Sequence, residues 1–151
     1  MNRATSRLML TVAAGLTCIL WTGLARAELV SFKIPLTGAE CKPVVEGAGA
    51  GTASLTYDPA TGVLTWNVSY SGLSSPATQA HIHTPSAGAG KAIVLVWLSQ
   101  PGSAPENPLT GQATLTGEQP QQFAAGQWWV NLHTQSHPAC EIRGQGTPAK
   151  G

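Results

Sequence analysis

The chain has 151 residues, of which 42% are hydrophobic and 10% are charged, and its formal net charge is +1. This length suits one domain with a real core. The near-neutral charge excludes a basic surface for nucleic acid, and the many Gly and Pro residues argue against a helical bundle.

The N-terminal stretch has the three parts of a secretory signal peptide. Arg3 and Arg7 form a positive region, a largely apolar segment follows, and residues 25–27 read Ala-Arg-Ala, a small-x-small cleavage site. We expect residues 1–27 to be removed, which leaves residues 28–151 as one periplasmic or secreted domain. The remaining chain has five basic and seven acidic side chains, which gives a net charge of about −2. No second apolar span is long enough to cross a bilayer.

Period-two alternation of apolar and polar residues predicts β-strands along the remaining chain. The alternating or apolar runs are residues 31–36, 52–57, 64–70, 93–98, 113–116 and 128–133. Asp58 to Gly62 carries tight-turn residues and predicts a hairpin between the second and third runs. Residues 117–126 predict one short helical turn with Thr116 as N-cap and Gln119 three positions on. With the histidine segments, about eight strands predict an all-β fold, a Greek-key sandwich or barrel of antiparallel strands.

All four histidines fall into two short segments. His81 and His83 point to the same face of a strand because side chains alternate, and His133 meets them if its strand is a neighbour. This arrangement predicts a mononuclear copper or zinc site, with His137 as a candidate fourth ligand. We expect its affinity to fall with pH near 6.5, the usual histidine pKa. The alternative is that the rings only hydrogen-bond and hold two strands together.

Several ordered motifs resemble the CHRD domain, the module named after chordin. They are Phe32 to Glu40, Gly51-Thr52-Ala53, Leu64-Thr65-Trp66, Tyr70 to Leu73, Ala80 to His83, Val130 to Thr134 and Glu141 to Gly144. The resemblance implies an exported β-sandwich; in animal chordin such modules belong to an extracellular antagonist of bone morphogenetic proteins, and bacterial single-domain members are exported. The His-x-His strand is also similar to the copper-ligand strand of Cu/Zn superoxide dismutases, a loose analogy between sites.

Two cysteines depart from the family pattern together. Cys41 and Cys140 each lie beside a segment at one end of the mature chain. In an oxidising compartment two cysteines predict one disulfide. The competing hypothesis makes Cys140 a thiolate metal ligand beside His137 and leaves Cys41 free.

Other polar and aromatic residues favour structural roles. We expect Glu141 and Arg143, on one face of the last strand, to form an exposed ion pair or cross-strand network. Trp97, Trp128 and Trp129 are predicted to fill the core or its rim rather than form a sugar platform.

Enzyme chemistry has little support in the sequence. The only aspartate, Asp58, belongs to a turn, and four histidines are too few for a bridged two-metal dismutase site. The sequence therefore predicts an exported binding module, and one copper or zinc ion on the clustered histidines is the hypothesis for its ligand. The alternatives are an adhesive module with purely structural histidines, binding extracellular protein or polysaccharide, and a small copper redox enzyme.

Overall fold

Eight antiparallel strands form one sheet in the computed structural model, which describes residues 27–85 and 92–147. The elements in chain order are β1 (Val30–Thr37), a 3₁₀ turn (Gly38–Glu40), β2 (Ala50–Asp58), β3 (Val63–Ser71), β4 (Ala77–Pro85), β5 (Ala92–Trp97), β6 (Leu109–Thr114), α1 (Gln119–Ala124), β7 (Trp129–Thr134) and β8 (Ile142–Gln145). The predicted all-β class and strand number are confirmed. Residues 1–26 of the predicted signal peptide lie outside the described residues.

The strands lie side by side in the order β5-β4-β7-β8-β1-β2-β3-β6, and the sheet curls into a nearly closed barrel. The predicted β2–β3 hairpin is present, with Asp58 opposite Val63. Its turn ends at Gly62, whose φ of 73° lies in the left-handed region that favours glycine. The Gly62 N–H donates to the Asp58 carbonyl oxygen at 2.8 Å and closes the turn.

The core follows the predicted alternation. In β1 the side chains of Phe32, Ile34 and Leu36 are buried while Ser31 and Lys33 are exposed. The residues on the inner side of the other strands are likewise buried, namely Ala53, Leu55, Tyr57, Leu64, Trp66, Val68, Ala80, Ile82, Val130, Leu132 and Ile142. Apolar burial of this kind is the main stabilising contribution to such a fold.

Two predicted boundaries differ from the structure. β6 begins at Leu109, before the predicted run of 113–116, and its burial alternates from that residue on. The glycine at position 111 conceals this alternation in the sequence: Gly111 lies against the ring of Trp66, and a Cβ there would be 2.7 Å from Trp66 Cε2. The short helix is present, but its N-cap is Glu118 rather than Thr116. The Gln119 side chain still accepts a hydrogen bond from the Thr116 N–H at 2.9 Å.

Candidate metal centre

The antiparallel pairing of β4 with β7 brings the two histidine segments together. His81 lies opposite Asn131, His83 opposite Trp129, and Gln79 opposite His133. Directly opposed residues share a face of the sheet, so His81, His83 and His133 lie on one face. The alternate residues of both strands fill the barrel core. The structure therefore places three predicted ligands on the polar strand face that the sequence indicates.

This face is buried, although its residues are polar. The exposed fractions of His81, His83 and His133 are 4%, 9% and 6%. Two tryptophan rings pack on the histidines. Trp97 meets His81 edge to face with centroids 4.2 Å apart, and Trp129 stacks on His83 at 5.7 Å. The histidines thus lie in a layer outside the core that is itself shielded from water.

The loop after β7 orients His133. Its Nδ1 lies 3.0 Å from the carbonyl oxygen of Pro138. Because a carbonyl oxygen only accepts, Nδ1 carries the proton and donates, and the Nε2 of the neutral ring keeps its lone pair. That Nε2 lies 3.2 Å from His81 Nδ1. Orientation of a ligand ring by a hydrogen bond to its other nitrogen is the usual arrangement in metal sites.

The remaining ring nitrogens lack partners. Among the described residues, His81 Nε2 and both ring nitrogens of His83 are buried without a hydrogen bond of normal geometry. A buried polar group left unpaired costs about 1–3 kcal/mol. One nitrogen from each of the three rings lies within 4.8 Å of the others. One ion binds one nitrogen of each ring, so an ion between the rings would give a partner to one nitrogen of His83.

Burial also keeps the rings neutral. Desolvation, followed by the neighbouring His133 and His83, lowers the pKa of His81 to about 4. Desolvation likewise lowers the pKa of His83 and of His133. Imidazole must be unprotonated to bind a metal, so the three rings are in the ligand form at neutral pH.

His137 lies apart from these three rings. Its side chain is 37% exposed, and its Nε2 lies 3.8 Å from Glu141 Oε2. Its backbone N–H donates to Thr134 Oγ1 at 3.0 Å. The group of candidate ligand atoms within 4.8 Å of one another contains His81, His83 and His133. His137 therefore belongs to the turn that follows β7.

Cys41 and Cys140 form a disulfide with their Cα atoms 5.9 Å apart. Both residues are buried, and Cys41 follows the 3₁₀ turn while Cys140 precedes β8. The predicted pairing is confirmed, and a thiolate ligand from Cys140 is excluded in this oxidised form. Since Pro138 lies two residues before Cys140, the disulfide ties down the loop that orients His133.

Glu141 and Arg143 do not form the predicted ion pair, and the alternative network that Glu141 joins is buried rather than exposed. Glu141 is 3% exposed, and its carboxylate accepts hydrogen bonds from the Ser74 N–H at 2.9 Å, Ser74 Oγ at 2.7 Å and Thr134 Oγ1 at 2.8 Å. Burial alone would raise the pKa of Glu141, but these hydrogen bonds lower it. Arg143 instead lies 3.7 Å from Glu40 and stacks over Trp129. Alternation along the last strand gave no signal of this network.

A separate groove of about 600 Å³ lies between β5 and β6, the two edges of the sheet. Its walls include Trp66, Trp97 and the loop between the two strands. The Tyr70 hydroxyl donates to the Pro105 carbonyl oxygen at 2.9 Å and holds this loop. Trp97 is 42% exposed and borders both the groove and His81, whereas Trp128 is 2% exposed and in the core.

Comparison with known proteins agrees with the motifs. The CHRD domain model matches residues 32–145, most of the chain. No curated protein and no solved structure is similar enough to give a match. Among the described residues, no helix is both long and apolar enough to cross a membrane. The match covers every strand from β2 to β8 and nearly all of β1, and the chain belongs to the CHRD domain family.

Proposed function

We propose that this protein is an exported CHRD-family binding module that holds one divalent copper or zinc ion through His81, His83 and His133. The observation that carries the proposal is the convergence of three buried rings whose ligand nitrogens lie within 4.8 Å of one another. His81 Nδ1 and His133 Nε2 are 3.2 Å apart. Two imidazoles bound tetrahedrally to one ion at 2.0–2.1 Å would have nitrogens about 3.3 Å apart.

A purely structural role explains these contacts less well. Histidines that only join two strands would pair their nitrogens with backbone or hydroxyl groups. Here His133 makes such a bond to Pro138 and pairs with His81, while neither nitrogen of His83 has a hydrogen bond of normal geometry among the described residues. An ion would give one nitrogen of His83 a partner.

The donor set indicates the class of metal. Neutral imidazole suits copper and zinc. Cys41 and Cys140 are held in the disulfide, so no thiolate from them is present to favour a soft monovalent ion. Capture or delivery of Cu(II) or Zn(II) in the cell envelope is the role that fits these ligands. The predicted signal peptide and the disulfide support export.

Metal titration of the mature, metal-free protein tests this function. The wild type is expected to bind one equivalent of Zn(II) or Cu(II), and His83→Ala to lower that affinity by more than about 100-fold, beyond the effect of removing a group that only supports a ligand. The matched control is His137→Ala, which removes an exposed histidine and should bind like the wild type. A wild type that binds no metal, or equal affinities in all three proteins, contradicts the proposal.

A second candidate function is adhesion through the free edge of β5. Ile93, Val94 and Trp97 are 47%, 40% and 42% exposed, and this strand has no partner on its outer side among the described residues. β5 contains no charged residue and no Pro. Residues of these types usually protect an edge strand from pairing with another chain. Antiparallel pairing of two copies through β5 would cover it. Light scattering of the wild type and Val94→Lys tests this: a wild-type dimer lost in the variant supports it, and a monomer at all concentrations opposes it.

A further inference from the structure

A fourth polar residue, Asn131, lies beside the histidines on the same face of the sheet. Asn131 lies opposite His81 in the pairing of β4 with β7, and two residues before His133 on β7. Its side chain is therefore on the histidine face of the sheet. It is 8% exposed.

The amide oxygen of Asn131 is unpaired. Oδ1 is buried and has no hydrogen-bond partner within residues 27–85 and 92–147. Asparagine is depleted in strands, because its side chain competes for backbone hydrogen bonds and packs poorly there. The neighbouring rings of His81 and His83 each have at least one unpaired buried nitrogen. An unpaired, buried amide oxygen beside such rings indicates a shared partner that bears positive charge.

We propose that Asn131 Oδ1 is the fourth ligand of the metal ion, which completes a shell of three imidazole nitrogens and one amide oxygen. This inference rests on the proposed metal-binding function. The register places Asn131 next to two of the rings, since cross-strand Cβ atoms are about 4.5–5.5 Å apart. The four donors therefore all come from two adjacent strands, β4 and β7.

The fourth ligand determines what the site does. Structural zinc sites have four protein ligands, whereas catalytic ones have three and keep a position open for water or substrate. With Asn131 bound, the site is closed. The protein then retains its ion and offers no coordination position for a reacting molecule, which separates a metal-holding module from a small copper redox enzyme.

Oxygen donation also selects the ion. Amide oxygen suits harder, divalent ions, while Cu(I) prefers soft sulfur ligands. Loss of the oxygen should therefore weaken binding of Zn(II) and Cu(II) and leave Cu(I) affinity nearly unchanged.

Two substitutions and one small anion test the proposal. Asn131→Leu removes the oxygen at similar volume and is expected to lower Zn(II) and Cu(II) affinity at least 10- to 100-fold, roughly the range for removing supporting groups. Asn131→Asp keeps an oxygen donor and should bind these ions at least as tightly as the wild type. Azide added to the Cu(II)-loaded wild type should leave its visible spectrum unchanged, and in Asn131→Leu it should produce an azide-to-copper charge-transfer band.

Each outcome is decisive. If the wild type binds no metal, the proposed function and this inference both fail. If the wild type binds metal but Asn131→Leu binds it equally well, Asn131 is not a ligand and the three-histidine site stands alone. Circular dichroism shows whether Asn131→Leu folds. If it does not, Asn131→Asp decides, and an affinity below that of the wild type means that Asn131 is not a ligand.

Discussion

His81 Nδ1 lies 3.2 Å from His133 Nε2, although the two residues are 52 positions apart in the chain. Strand pairing creates this contact, because β4 and β7 are neighbours in the sheet. The Pro138 carbonyl holds His133 in the tautomer that presents a lone pair. A backbone contact in a loop thus sets the orientation and tautomer of a side chain in the sheet.

Metal should stabilise the folded protein. An ion that binds only the native state adds about 2.7 kcal/mol to the free energy of unfolding at a free concentration 100 times its Kd. Thermal unfolding of the wild type with buffered Zn(II) and with a chelator measures this difference. His81→Ala should unfold at nearly the same temperature in both conditions, and a metal-dependent shift as large as that of the wild type would argue against His81 as a ligand.

Stability of the metal-free protein should fall with acid between pH 6.5 and about 4. The pKa of His81 is about 4 in the folded state and near 6.5 in the unfolded state. Between these values the unfolded chain binds a proton that the folded protein does not bind, which lowers the free energy of unfolding. The lost stability is on the order of 3 kcal/mol for His81 alone. Urea unfolding across this range measures it. His81→Gln should reduce the dependence of the free energy of unfolding on pH, while His137→Ala should leave it unchanged.

The same lowered pKa changes the expected acid limit of metal binding. The sequence predicts weakening near the usual histidine value of 6.5. Burial lowers the pKa of His81 to about 4 and also lowers the pKa of His83 and of His133, so Zn(II) should be released at a lower pH than from a site of exposed histidines. Dialysis at pH 7, 6 and 4 followed by metal analysis checks this, and complete release at pH 6 would contradict the buried site.

The disulfide should contribute both stability and metal affinity. Cys41 and Cys140 are 99 positions apart, and closing a loop of this length stabilises by about 4–5 kcal/mol in the chain-entropy model. The Cys41→Ala/Cys140→Ala variant should lose most of this free energy. It should also bind Zn(II) more weakly, because the Pro138 loop that orients His133 is released. An unchanged Zn(II) affinity in a folded variant would show that the disulfide is not required to position the Pro138 loop.

Glu141 should matter far more than Glu40. Glu141→Ala leaves two hydroxyls and one N–H in a buried network without their acceptor, which costs about 2–4 kcal/mol. Glu40→Ala removes the 58% exposed partner of Arg143 and should cost less than about 1 kcal/mol. Chemical unfolding of both variants makes the comparison, and equal losses would mean that the Glu141 network is not stabilising.

The predicted signal peptide implies a specific N-terminus for the processed protein. Cleavage after Ala27 would leave Glu28-Leu29-Val30 as the first residues. N-terminal sequencing of protein from the envelope or medium checks this. An intact Met1 in that fraction would contradict the predicted leader.

Local sequence pattern determined the strands and the faces of their side chains. Alternation of apolar residues in β1, β2 and β3 corresponds to burial of every second residue, because side chains of a strand alternate whatever its neighbours are. For the same reason the spacing of His81 and His83 placed them on one face. The pairing of Cys41 with Cys140 followed from their number and the predicted compartment.

Tertiary structure alone decided which strands are neighbours and what covers them. The pairing of β4 with β7 shifts register between Ala77 and Gln79, and no local pattern encodes that shift. Polar residues on the outer face are predicted to be exposed, yet Trp97 and Trp129 shield the histidines. Asn131 and Glu141 are polar residues in or beside strands by sequence. They are buried because distant segments pack on them, and burial depends on contacts that alternation does not contain.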